Sequence, residues 1–295
     1  MTKAQTSLAA AVLLGTVFPS LSQAGAEPRA LPPVTITSTG QSLLAEEANS
    51  GSYGQPEWTQ HRRFGTTRVY IQKDPWEVGL EQWWRNRAYN DRSPQQRFMS
   101  ELEIGLPGRF QLDLYHNFIH EDGDTHWDET AVELRHALAD WGKIWGNPTL
   151  YLEYAFVNND FGGDVLESKI LLGDDFGKGW HWGLNFIFET EMSQERAKEV
   201  SIAGGLSKTI IDEVLSAGVE FQWKHETVAG ERSSAEVQFE IGPSIQTRIG
   251  KSAHLDLVAL AGCTDDGPRL ESFVIFGWDF GGKSHGGYRP TSVSQ

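Results

Sequence analysis

The 295-residue chain has one cysteine and three methionines, and it sets only 25 Lys and Arg against 40 Asp and Glu. Each shortage excludes something. A single Cys removes a disulfide framework and any multi-cysteine metal site. A net charge of −15 removes the basic face that releases counterions from nucleic acid, so no nucleic-acid partner is expected. A membrane-spanning helix needs about 20 consecutive apolar residues, and no window after the N-terminus supplies them. No segment carries an apolar stripe of helical period through three turns, which argues against a helical domain. What is plentiful is glycine, at 31, and tryptophan, at 11. Chains rich in both, yet without long apolar runs, suit a β-barrel in a membrane.

The first 24 residues read as a cleaved signal peptide. Lys3 supplies the positive start, Leu8 to Leu14 with Val17 and Phe18 the apolar stretch, and Ser22-Gln23-Ala24 the small residues at the cut. Residues 25–75 follow as a mostly irregular segment, punctuated by Pro28, Pro32, Pro33 and Pro56. Within it, 33–38 is an extended, β-prone stretch.

From Trp76 the pattern becomes strict alternation, in which one face of a strand differs from the other. Phe98, Leu102, Ile104 and Leu106 oppose Met99, Glu101, Glu103 and Gly105. Trp180, Trp182, Leu184, Phe186 and Phe188 oppose His181, Gly183, Asn185 and Glu189. The same style recurs at 76–84, 110–120, 130–136, 149–157, 165–173, 198–206, 214–224, 235–242, 253–261 and 271–280. About twelve strands of membrane-crossing length result. The predicted fold is all-β: a transmembrane antiparallel up-and-down barrel over 76–280, with a C-terminal tail at 281–295. Pro107-Gly108 makes a short return, while 121–128 and 158–164 read as polar, acidic connections. Trp76, Trp83, Trp84, Trp127, Trp141, Trp145, Trp180, Trp223 and Trp278 sit near strand ends, where membrane interfaces favour amphipathic rings. A soluble, secreted β-sandwich binding module would alternate too. Glycine separates the two: Gly79, Gly105, Gly183, Gly205, Gly218, Gly242 and Gly277 share the polar face, where a confined lumen limits side-chain volume.

The stretch Glu101-Leu102-Glu103-Ile104-Gly105-Leu106-Pro107 and the closing Phe276-Gly277-Trp278-Asp279-Phe280 resemble Gram-negative outer-membrane β-barrel proteins. The nearest group is the uncharacterised transporters classed with phenol meta-pathway outer-membrane proteins. The resemblance implies an outer-membrane channel for small molecules, with outer-membrane lipid and the barrel assembly machinery as partners. One departure is that 15 residues, 281–295, follow the terminal aromatic Phe280, at which such barrels usually end.

The polar face is strongly acidic. Glu81, Glu101, Glu103, Asp113, Glu133, Glu153, Glu189, Glu220 and Glu240 are the candidate lumen-lining residues, and Glu77, Glu167, Glu199, Glu236, Asp256 and Asp279 share their face. The bases there are Arg135, Lys169 and Lys224. Rings of one sign select ions of the other, so a cation-preferring passage for a small molecule or ion is expected. The alternative is a filled, structural barrel. No catalytic residue, cofactor or metal site is expected. The outward histidines His116, His120 and His136 lack a serine at the His-x-Ser spacing of outer-membrane phospholipases, and the carboxylate pairs are too many for one to stand out. Cys263 reads as a small packed residue.

Overall fold

The computed structural model describes residues 44–280. The signal peptide, the rest of 25–43 and the tail 281–295 lie outside the described residues.

Twelve antiparallel strands close into a barrel in sequence order. They are β1 (Val78–Ala88), β2 (Gln95–Leu106), β3 (Phe110–Glu121), β4 (Asp124–Ala137), β5 (Thr149–Val157), β6 (Val165–Asp175), β7 (Trp180–Glu191), β8 (Lys198–Ile211), β9 (Leu215–Thr227), β10 (Glu236–Ile249), β11 (Ala253–Gly262) and β12 (Leu270–Phe280). Closure is between the first and last strands, in continuous register from Val78 opposite Phe280 to Ala88 opposite Leu270. No strand edge is left unpaired, as a backbone in an apolar medium requires. One rim carries the start of β1 and the end of β12; we call it the terminal rim, and the other the distal rim.

Alternation decides the facing. The outward side chains are apolar and solvent-accessible in the isolated chain: Leu80, Phe98, Leu114, Val132, Leu152, Phe156, Phe186 and Phe276 are each 38–51% exposed. Their sequence neighbours point inward, and among them Glu81, Asp113, Glu133 and Asn185 are polar and buried.

The strands run longer than their apolar alternation. β3 and β4 continue through 121–128 to a two-residue turn at Asp122-Gly123, both at positive φ (53° and 90°), the geometry that matches hairpin twist. The expected acidic connection is therefore mostly strand. β10 likewise continues past Pro243 to Ile249, although its ladder to β11 skips 242–243 because proline donates no hydrogen bond. Two tryptophans depart from the interfacial pattern: Trp83 points into the barrel, and Trp141 packs on Trp58 and Tyr70 with ring centroids 5.7 and 5.3 Å away. Cys263 is exposed rather than packed.

Residues 44–77 enter the barrel from the terminal rim and fill that half. They hold a 3-10 turn at Ala45–Glu47 and a four-residue helix, α1 (Glu57–Gln60); the rest is irregular. Trp58, Phe64, Val69, Tyr70 and Ile71 form a small core with Ala137. Wall glycines make room for it. A Cβ on Gly205 would stand 2.5 Å from the Phe64 ring, one on Gly173 2.4 Å from the Val69 side chain, and one on Gly105 2.0 Å from the Asp74 carbonyl oxygen. Interiors pack too densely to absorb such overlap, so these glycines form a cradle for the internal segment.

Candidate functional site: the barrel interior

The interior has two parts. In the terminal half, the cations of 44–77 meet the acids of the wall. Arg62 donates from Nε to Glu81 (3.2 Å) and also bonds that carboxylate through Nη2. It lies 3.9 Å from both Glu101 and Asp256. Arg68 Nη2 is 3.2 Å from Glu101 Oε1. Lys73 pairs with Glu103 at 3.1 Å and with Asp279. Glu220 accepts from the backbone N–H groups of Gly65 (3.0 Å) and Thr66 (2.7 Å). Asn185 pins the Arg68 backbone from both sides, accepting at 2.8 Å and donating at 2.7 Å. Burial alone would lower the basicity of Lys73; Glu103 and Asp279 beside it instead hold it charged.

On the wall, Arg135 is wholly buried between Asp113 (2.7 Å) and Glu133, and also donates to Gln72 (2.9 Å). At the terminal rim Arg248 is 3.0 Å from Glu57, and His61 is 3.6 Å from the same carboxylate. His61 beside it, together with Arg248, holds the Glu57 carboxyl down at about 2. Burial pushes the His61 imidazole down to about 4.

The distal half holds a polar cavity of about 400 Å³ floored by Gly65, Thr66 and Arg68. Its lining carries six acids (Glu129, Glu153, Glu167, Glu189, Glu199, Glu271) and six bases (Arg68, Arg85, Arg87, Arg97, Lys169, Lys224). The two signs are unevenly distributed. Arg85, Arg87 and Arg97 sit on β1 and β2, with Arg85 directly opposite Arg97. Glu153, Glu167, Glu189 and Glu199 sit on β5 to β8, each directly opposite the next.

That acidic row is part of a longer file. Glu103, Asp113, Glu133, Glu153, Glu167, Glu189, Glu199, Glu226 and Glu236 are cross-strand partners in unbroken succession from β2 to β10. Barrel strands tilt relative to the axis. A row perpendicular to them therefore winds upward, here from buried Glu103 to the distal rim. Like charges directly opposite are unfavourable, and the file meets this unevenly. Its lower end is neutralised by Lys73 and Arg135. Higher up, Lys169 pairs with Glu167 at 2.7 Å, while Glu153 has, among the described residues, only the Tyr151 hydroxyl. Glu189 has no ion pair among the described residues. The arginines opposite are all engaged: Arg87 with Glu271 (2.5 Å), Arg85 with Glu271 (3.7 Å), and Arg97 with Asp128 (2.7 Å) and Glu129 (3.3 Å).

The nine candidate lining residues thus separate. Glu81, Glu101, Glu103, Asp113, Glu133 and Glu220 are buried against 44–77 or Arg135, Glu153 and Glu189 line the cavity, and Glu240 is buried on β10. Sequence reasoning missed Arg85, Arg87 and Arg97, because they lie where both strand faces are polar and alternation disappears. Arg62, Arg68 and Lys73 were hidden in a segment without periodicity. It also missed an inward apolar patch, Val258, Leu260, Phe273 and Ile275 with Trp83 against it.

No family model matches the chain, and no curated protein matches it. In fold it is similar to the NanC porin (10% identity, TM-score 0.51, covering 69% of this chain and 99% of that one). It is also similar to the COG4313 outer membrane channel from Pseudomonas putida F1 (10% identity, TM-score 0.52, covering 75% and 100%). Both likenesses concern the barrel architecture.

Two chemistries find no support in the geometry. In-register pairing sets Ser100 opposite His116 on the outer face. However, Ser100 donates to Gln82 (2.9 Å) and His116 Nδ1 bonds Thr130 (2.8 Å), so no Ser–His hydrogen bond forms between them. The carboxylates of Glu81, Glu101 and Glu103 come within 4.8 Å of one another, as do those of Glu101, Asp113 and Glu133. Arginine and lysine groups already occupy both clusters.

Proposed function

We propose that this protein is an outer-membrane channel for small solutes, with residues 44–77 as an internal plug. The carrying observation is a closed barrel, apolar outside and charged inside, whose terminal half is filled by the chain's own cationic segment while the distal half holds a polar cavity. An apolar outer face of this extent is what a bilayer covers. Residues 1–24 act as the export signal in this reading, and the assembly machinery inserts the barrel. We keep with it the narrower grouping with phenol meta-pathway outer-membrane proteins, which the segments at 101–107 and 276–280 suggest. Phe273 and Trp83, which line the cavity, would suit solutes with an apolar part.

Among ions the passage prefers cations. The arginines on β1 and β2 are each tied to a carboxylate, whereas Glu153 and Glu189 are not tied to a base, so an entering cation would supply the partner these two acids lack. The test is planar-bilayer recording of the full chain and of a variant lacking 44–74. The variant should conduct more than the parent, and under a potassium chloride gradient its reversal potential should have the sign of cation flow. A silent variant that still folds would leave the filled, structural barrel as the better reading.

A further inference from the structure

The wall beneath the plug has the composition of a receptor. Glu81, Glu101 and Glu103 lie within 4.8 Å of one another, and Asp256 adds a fourth carboxylate beside Arg62. Two guanidinium groups lie over one indole ring that also faces them: Arg62 at 4.3 Å and Arg68 at 5.2 Å from the Trp83 ring. Carboxylate forks with an aromatic face are the chemistry that recognises a planar guanidinium rather than a compact ammonium. Spare capacity remains. Glu103 Oε1 and Asp256 Oδ1, on residues without exposed surface, have no hydrogen-bond partner among the described residues.

Arg68 is the occupant within reach. It forms part of the cavity floor, and its side chain is 12% exposed against 1% for Arg62. Its hold is also imperfect. One nitrogen, Nη2, faces both oxygens of Glu101 at 3.2 and 3.3 Å, while Nη1 has no hydrogen-bond partner among the described residues. A free guanidinium, not tethered by a backbone that Asn185 holds fixed, can take the parallel two-nitrogen geometry that strengthens such pairs. The displaced Arg68 side chain has Glu153 and Glu189 across the same cavity to receive it.

We propose that Glu101, Trp83 and their acidic neighbours form a binding site for guanidinium-bearing solutes, which Arg68 occupies until a solute entering through the distal cavity displaces it. The site rests on the channel reading only for its route of entry.

Calorimetric titration of the full chain in detergent, with agmatine as probe and 1,5-diaminopentane as its counterpart lacking the guanidinium, tests the assignment. Agmatine should bind about tenfold or more tightly than the diamine, the scale of one good hydrogen-bonded contact. Arg68→Ala removes the internal competitor and should tighten agmatine binding, by about tenfold on the same scale. Glu101→Gln and Trp83→Leu should weaken it while preserving the folded gel mobility. If Glu101→Gln does not fold, Arg68→Ala still decides. Equal binding of the two amines, or weaker agmatine binding by Arg68→Ala, overturns the site. A barrel that binds agmatine yet stays silent without its plug overturns the channel reading instead.

Discussion

In the terminal half of the barrel, acids meet cations at close range: Glu81 pairs with Arg62, Glu101 with Arg68 and Glu103 with Lys73, while Asp113 and Glu133 share Arg135. In the distal half the pairing is incomplete: Glu153 and Glu189 on one wall have no ion pair among the described residues, while Arg85, Arg87 and Arg97 on the other are tied to Glu271, Asp128 and Glu129. The difference follows from water. Buried charges without partners are very costly, so the acids of the filled half are held by cations or N–H groups at close range. A hydrated cavity screens its charges and tolerates their separation, which leaves a field across the passage.

The comparison can be broken most strongly at Arg135. Arg135→Ala would leave Asp113 and Glu133 buried and unpaired, and should cost about 3–5 kcal/mol. Lys169→Ala, which removes the ion pair to Glu167 beside the cavity, should cost about 1 kcal/mol or less. Unfolding midpoints in denaturant, followed by the gel-mobility difference between folded and heated barrels, would show both. Equal losses would mean that the two halves are not electrostatically distinct.

A steric break is smaller and local. Gly205→Val places methyl groups where Phe64 sits, so the plug should loosen while the barrel stays closed. Faster tryptic cleavage within 44–77, with an unchanged barrel fragment, is the expected outcome. Gly142→Ala serves as the control, since a Cβ there meets nothing within 4 Å, although its positive φ of 74° adds some strain of its own. A plug equally protected in Gly205→Val and the parent would contradict the cradle.

The mildest lever is acid. The His61 value falls from 6.5 to about 4 and the Glu57 value from 4.5 to about 2. Both are depressed in the folded state, so the unfolded segment binds more protons below the reference values. Their contribution is therefore complete above pH 6.5, declines first through His61 between about 6.5 and 4, and declines again through Glu57 below 4.5. Hydrogen-exchange protection of the segment, corrected for the intrinsic exchange rate at each pH, should decrease from pH 7 to pH 4, and His61→Phe should flatten the first step. Protection that is constant or rises over that range would show that α1 is not seated by this trio.

The strand count, the order and the facing of side chains were legible in the sequence, because a sheet with lipid-like and polar faces must alternate with period two. Phe98, Leu114 and Phe186 outside, and Glu101, Asp113 and Asn185 inside, follow from that rule alone. Strand ends were not legible. Beyond the apolar band both faces are polar, so Arg85, Arg87, Arg97 and Glu226 left no periodic trace, and the interior looked more acidic than the cavity is. The glycines at 105, 183 and 205 were visible as small residues on the polar face, but what they accommodate was not. Residues 44–77 lack any period because irregular backbone obeys no local spacing rule. Their burial is decided by contacts that include partners more than a hundred positions away, such as the Arg68 backbone with Asn185 and Lys73 with Asp279. The file of nine carboxylates was likewise beyond the sequence. Alternation fixes which way each one points, but only the register of neighbouring strands decides that each faces the next.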